Sequence, residues 1–232
     1  MQNELMEKKQ IETLLKNAKH IAVVPSTMSQ IDSFCAGVGL FYIIKYYIDN
    51  LPEDEAKNKK VEFIYTQPIP NVCTNLIKKE DIVSDILHRE LVVTIDYSNT
   101  PAEKIQYNTD HDVLSLKISP VDKNFDLSRI RTRVAGFEFD LVFTIGMQSA
   151  DDLRQMYTGL EREFSGTKTV NIDNTSLNQR FGYLNYIDTA ADTLSLAILQ
   201  KGVEWGLKPD SRASKALLTG ITHKESTAIV PS

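Results

Sequence analysis

Short apolar runs, each closed by a polar loop and followed by apolar residues at helical spacing, recur along this chain and point to an open α/β sheet. The first run is HIAVVP (20–25). It lacks apolar/polar alternation, so it reads as a strand buried on both faces, as in a parallel sheet. A loop (25–33) follows, and Phe34, Val38, Phe41, Ile44 and Ile48 then mark a helix over 33–49. Leu5, Ile11, Leu14 and Leu15 mark an earlier helix over 3–18.

The unit then repeats. Residues 52–60 are a charged connection, and Val61–Tyr65 is a second strand. Leu91–Tyr97 and Asp112–Ile118 are β-rich runs expected to pair as an inserted hairpin, at about 91–118. DLVFTI (140–145) is another buried strand, followed by a helix stripe of Leu153, Tyr157, Leu160 and Phe164. Thr169–Ile172 is a further strand ending at Asp173. Asp188 stands before a helix carrying Leu194, Ile198 and Trp205, with Asp188-Thr189 as its expected N-cap, and 210–223 is the last helix. The expected fold is a single α/β domain over 1–232, with a mainly parallel sheet and helices on both faces. Ligands of such sheets bind beyond the carboxyl ends of the strands. The loops that matter are then 25–33, 97–101, 146–151 and 173–188.

Charge and composition narrow the function classes. Lys and Arg number 26 against 31 Asp and Glu, a net charge of −5 that gives no global attraction to nucleic acid. Cys35 and Cys73 lie in no CxxC or Cys/His pattern, which argues against a disulfide framework and a structural zinc site. No secretory pattern opens the sequence, and the most apolar stretch, Val38–Ile48, is interrupted by Lys45. A cytoplasmic protein that does not engage membranes is expected. No GxGxxG, P-loop or GxSxG motif occurs. Ser26, Thr27 and Ser29 lead into a helix N-terminus, a place where anions bind readily.

VNIDNTSLNQRFGYLNYIDTAADTLSLAIL (170–199) resembles the signature region of the DHH phosphoesterases. In that family a strand ends in Asp-His-His, followed by Ser-Asn, Phe-Gly and an Asp before a helix. Asp173, Asn178, Phe181, Gly182 and Asp188 stand in those places. VVPSTMSQIDSFCAGVGL resembles the family's first motif, DLVFTIGMQSADDLRQMY its second, and LLTGITHKES a later helix end. The resemblance runs over nearly the whole chain and implies the family's first-domain fold. It also implies two divalent metals, usually manganese, which would activate water and stabilise phosphoryl charge.

Measured against that pattern, most ligands are replaced. Ser26 stands for the first-motif His, Gln30 for the first Asp, and Asp32 keeps the second. Gly146 stands for the second-motif Asp, while Asn174 and Thr175 follow Asp173 in place of the two histidines. Asp192 sits where the family usually has Ser. Neutral side chains are weak ligands for hard cations, so Asp32 and Asp173 remain as candidates for one weakly held magnesium or manganese ion. No Gly-Gly-Gly-His is present, so the family's C-terminal substrate domain is not expected in this chain.

The resemblance therefore implies a degenerate member without a resident cofactor. Its old crevice, formed by Ser26, Gln30, Asp32, Gly146, Asp173, Asn174, Thr175, Asn178 and Arg180, would bind a nucleotide-like ligand or a protein partner. The competing reading is an active manganese phosphodiesterase on short oligonucleotides or cyclic dinucleotides, with carboxylates supplied by Asp96, Asp151 or Asp192. A third is a purely structural subunit of a homo-oligomer. Arg180 reads equally as an anion fork or as a salt-bridge partner. Asp96 reads more simply as a turn cap, and His111 in DHD as a turn residue. His20 and His88 read as surface or helix-terminal residues, and His223 is the histidine placed nearest the crevice.

Overall fold

Among the described residues, six parallel strands form one sheet, in the spatial order β10 (Leu184–Ile187), β9 (Lys168–Asp173), β8 (Leu141–Ile145), β1 (His20–Pro25), β2 (Lys60–Ile64) and β3 (Ile82–Val83). The computed structural model describes residues 2–28, 30–84, 90–100, 103–135, 139–156 and 167–223. Expectations for Ser29, His88, Tyr157, Leu160 and Phe164 lie outside these residues. Strands β4 (Glu90–Ile95), β5 (Lys104–Asp110), β6 (Val113–Ser119) and β7 (Ile130–Ala135) pair outside that sheet. The helices are α1 (Gln2–Asn17), α2 (Gln30–Asp49), α3 (Glu53–Ala56), α4 (Ala150–Met156), α5 (Leu194–Glu204) and α6 (Ser211–Thr222).

The unbroken apolar strands are buried on both faces, as their sequences require. Ile21 and Val23 of β1 join Leu141, Phe143 and Ile145 of β8 in the larger core, beneath α1, α2, α5 and α6. Ala22 and Val24 point the other way, into a smaller cluster with Ile64, Val142, Met147 and Leu153 of α4. The α/β class, the parallel sheet and its helices are as expected.

Helix α2 passes through the middle of the larger core, with Phe34, Val38, Phe41, Ile43 and Ile44 all buried. By length and composition Ile31–Asp49 is apolar enough to cross a bilayer, although Lys45 interrupts it. Its apolar surface is instead consumed by α5, α6 and the sheet. Lys45 reaches the edge and pairs with Asp81 at 3.1 Å.

Several expected boundaries shift. Helix α2 begins at Gln30, so Asp32 lies in its first turn instead of a loop. Part of the expected 173–188 loop is strand β10. Its four residues, LNYI, include a polar one and form an edge, so no apolar run marks them. The N-cap of α5 is Thr193, whose Oγ1 accepts from the Leu196 N–H at 3.1 Å. Asp188 closes a turn instead, accepting from the Ala190 N–H at 3.0 Å.

Contacts divide the chain into two compact units, 1–87 with 137–232, and 88–136. In the second unit the expected pairing of 91–97 with 112–118 does not form. Strand β4 pairs antiparallel with β7, and β5 pairs with β6. The reason is local: β5 and β6 are joined by His111 and Asp112, both with positive φ (44° and 65°), the conformation of a two-residue hairpin turn. DHD is thus a turn, as expected. Asp96 is also a turn cap, accepting from the Ser98 N–H and Oγ at 3.0 and 2.6 Å. The Ser98 hydroxyl and N–H, with Arg129 behind them, hold its exposed carboxyl down at about 2.

Candidate crevice at the strand tips

Chain order places β2 and β3 on one side of β1 and β8, β9 and β10 on the other. The tips of β1 and β8 are therefore the switch point, where a doubly wound sheet opens a crevice. Two loops leave the sheet there, and they are tied together. The Ser26 N–H donates to the Ile145 carbonyl at 2.7 Å, and the Gly146 N–H to the Ile172 carbonyl at 2.8 Å. The Ser26 carbonyl accepts from Ser33 Oγ at 2.6 Å, and its own Oγ accepts from the Met28 N–H at 3.2 Å. Ser26 is buried and committed to the loop.

Asp32 does not face the crevice as a free carboxylate. Its Oδ2 accepts from the Leu194 N–H at 2.6 Å, and its Oδ1 from the Ser195 N–H and Oγ at 3.0 and 2.8 Å. The first turn of α5 leaves these N–H groups without intrahelical partners, and its dipole end favours a negative charge. Asp32 thus acts as a cap supplied from a distant part of the sequence. Gly220 of α6 sits against the same joint, and a Cβ there would come 1.9 Å from Ser195 Oγ.

Gly146 follows β8 with φ of +68°. A Cβ built there would lie 2.7 Å from Leu194 Cδ1, with Ser26 and Ser33 also close. Any L-residue at this point is strained by its backbone and crowded by Leu194, the residue whose N–H Asp32 holds.

Asp173 closes β9 and is buried. Its Oδ1 accepts from the Asn174 N–H and its Oδ2 from Asn178 Nδ2, both at 2.8 Å. Asn178 also donates to the Met147 carbonyl, at 2.8 Å, while its Oδ1 accepts from Asn171 Nδ2 at 2.9 Å and from the Arg180 N–H at 2.8 Å. Asn171 in turn accepts from Thr144 Oγ1 at 3.1 Å. A buried polar chain therefore runs from β8 through β9 into the 174–183 loop, and it satisfies groups that would otherwise be costly to bury. Asn174 Nδ2 donates to the Ala191 carbonyl at 3.0 Å, and Thr175 Oγ1 accepts from the Leu177 N–H at 3.3 Å. Arg180 is exposed with φ of +53°, and its side chain makes no ion pair among the described residues. The side chain of Gln30 is not described.

Burial pushes the Asp173 carboxyl up, against the hydrogen bonds from Asn178 and the nearby backbone, and Asp152 adds repulsion. A raised folded-state value means that the folded protein takes up the proton first. Stability should then fall as pH rises from about 4, the unfolded carboxyl value, through the folded one. Asp173→Asn should flatten that slope in urea unfolding followed between those pH values. An unchanged slope would contradict it.

Among the expected residues, Ser26, Gly146, Asp173, Asn174 and Asn178 are joined at the tips of β1, β8 and β9 by the bonds above. Asp32 joins them through Leu194. Asp151 and Asp192 are exposed, and Asp96 belongs to the second compact unit. His223 is exposed at the end of α6. Among the described residues, no group of three or more His, Cys, Asp and Glu is placed to hold a metal ion.

Sequence reasoning missed Thr144, Asn171 and Ser195. The signal for the first two was present: each is a polar residue inside an otherwise apolar strand, LVFTI and TVNID. The start of α4 was also legible as Ser149-x-x-Asp152. The Asp152 carboxylate accepts from the Ser149 N–H at 2.9 Å while Ser149 Oγ accepts from the Asp152 N–H at 3.3 Å, a capping box.

No family model matches the sequence, and no curated protein matches it. Among solved structures, the chain is similar to an exopolyphosphatase-related protein from Bacteroides fragilis, with a TM-score of 0.60 and 11% identity. The likeness is one of fold. It covers 95% of this chain but 49% of the neighbour, so the chain spans about half that protein's length.

Proposed function

We propose that this chain is a DHH-type phosphoesterase domain that no longer performs metal-dependent hydrolysis and binds a phosphate-bearing, nucleotide-like ligand at the crevice. The observation that carries the first half is Gly146. The position that resembles a metal-binding Asp holds a left-handed glycine whose Cβ site is filled by Leu194. The two acidic residues that remain are engaged elsewhere, Asp32 on the end of α5 and Asp173 within the asparagine chain. The residues present do not fit a two-metal centre, which needs several hard ligands converging on each ion.

The second half rests on charge and framing. Arg180 presents a guanidinium to solvent from the loop that follows β9. A planar fork suits a phosphate or carboxylate. Asn174 and Thr175 of the same loop, neutral and only partly buried, can complement a polar ligand without divalent charge, while Ser26 and Asn178 hold the loops in place.

Two measurements test this reading. Purified protein with manganese should turn over neither bis(p-nitrophenyl) phosphate nor a dinucleotide faster than its Asp173→Ala variant. Metal-dependent turnover that Asp173→Ala abolishes would restore the phosphodiesterase. In calorimetry with adenosine mononucleotides, Arg180→Ala should weaken binding roughly tenfold, the loss of one charge-assisted pair, with no change in stability. Absence of binding by the wild type would leave the crevice to a protein partner.

A further inference from the structure

Two thiols that are far apart in sequence meet inside the first compact unit. Cys35 lies on α2, one turn after Asp32, and Cys73 ends a single 3-10 turn, Asn71–Cys73, in the connection between β2 and β3. Both are fully buried, and their Sγ atoms are 3.6 Å apart. A disulfide needs about 2.05 Å, so a closing movement of roughly 1.5 Å, shared between two side chains, would make the bond. Nothing in the crevice described above uses either sulfur.

We infer that Cys35 and Cys73 are a modification site: a dithiol that a peroxide or a low-molecular-weight disulfide converts reversibly to an intramolecular disulfide. With hydrogen peroxide the chemistry balances in two steps. The Cys73 thiolate attacks one peroxide oxygen; the O–O bond breaks, one water leaves, and a sulfenic acid forms. The Cys35 sulfur then attacks the Cys73 sulfur, the S–S bond forms, and the S–O bond breaks. The thiol proton goes to the departing oxygen, giving a second water. Two thiols are oxidised and one peroxide is reduced.

The surroundings assign the order of attack. The hydrogen bond between the sulfurs raises the Cys35 thiol, with burial adding to it, and lowers that of Cys73. Cys73, itself fully buried, lies on a short turn whose neighbouring residues reach the surface. Its turn is held by the Cys73 N–H to Pro70 carbonyl bond at 2.8 Å and the Leu76 N–H to Cys73 carbonyl bond at 3.0 Å. Val72 beside it is 47% exposed, and the next residue, Thr74, lines a cavity of about 450 Å³ with Tyr65, Ile69 and Lys79. Opening this one turn uncovers Cys73 without unfolding the sheet. Cys35, rooted in α2, stays in place as the resolving thiol. The product would fasten the β2–β3 connection to the helix whose first turn caps α5.

The test uses the whole folded chain. After mild treatment with hydrogen peroxide or oxidised glutathione, thiols counted under denaturing conditions should fall from two to none. Non-reducing digestion should give one linked peptide pair containing Cys35 and Cys73, the protein should stay monomolecular, and dithiothreitol should restore both thiols. Cys73→Ser should leave the remaining thiol unreacted under the same conditions. Two thiols persisting in the treated wild type would overturn the assignment. So would links between chains, or separate sulfinic acids in place of the linked pair. Because the wild type alone decides, the outcome does not depend on how well a cysteine variant folds.

Discussion

Replacing Asp32 with alanine should destabilise the protein by about 3 kcal/mol, the cost of a lost helix cap plus buried donors left without acceptors. The carboxylate takes the N–H groups of Leu194 and Ser195 and the Ser195 hydroxyl. Ser195 is itself fully buried, so water does not readily replace the acceptor. The loss is larger than for an ordinary surface cap for that reason. It also loosens α2 from α5, since one side chain joins the starts of both. Asp192→Ala, on an exposed residue two positions before α5, should change stability by no more than about 0.5 kcal/mol. Urea unfolding of the two variants separates the roles. A free carboxylate at position 32, waiting for a cation, would show little change in stability on removal, and such a result would contradict the cap.

Gly146→Asp, which introduces an acidic side chain just after β8, should cost about 2 kcal/mol and confer no manganese-dependent hydrolysis. The backbone sits at φ +68°, which an L-residue adopts at a cost of about 1 kcal/mol or more. The added Cβ also meets Leu194 Cδ1 at 2.7 Å, a terminal methyl that must shift within a buried site at a cost at the low end of overpacking, about 1 kcal/mol. Gly146→Ala carries the same Cβ without the charge and should show most of the same loss. If alanine is accepted with no change in the unfolding midpoint, the steric account fails.

Much of the fold could be read from sequence because burial on both faces leaves a plain mark. HIAVVP and DLVFTI contain no alternation, and they became the two central strands. The edge strand β10 left no such mark. The pairing of β4 with β7 was hidden for another reason: the partner of 90–95 is set by tertiary position, and 130–135 (IRTRVA) is rich in Arg. At the strand tips, Ser26, Gly146, Asp173, Asn174 and Asn178 were each legible in the sequence. What Asp32 does was not, because its partners, Leu194 and Ser195, are 162 and 163 residues away. The two cysteines were hidden in the same way, 38 residues apart with no motif between them.

Among the described residues, the six-stranded sheet ends at both sides on short strands. Ile82–Val83 offers two residues and Leu184–Ile187 four. A foreign strand laid alongside either would gain few main-chain bonds, so the sheet is guarded against edge-to-edge growth. Among the described residues, apolar surface is offered instead by the paired strands β5 and β6, where Ile105 and Tyr107 are 70% and 78% exposed.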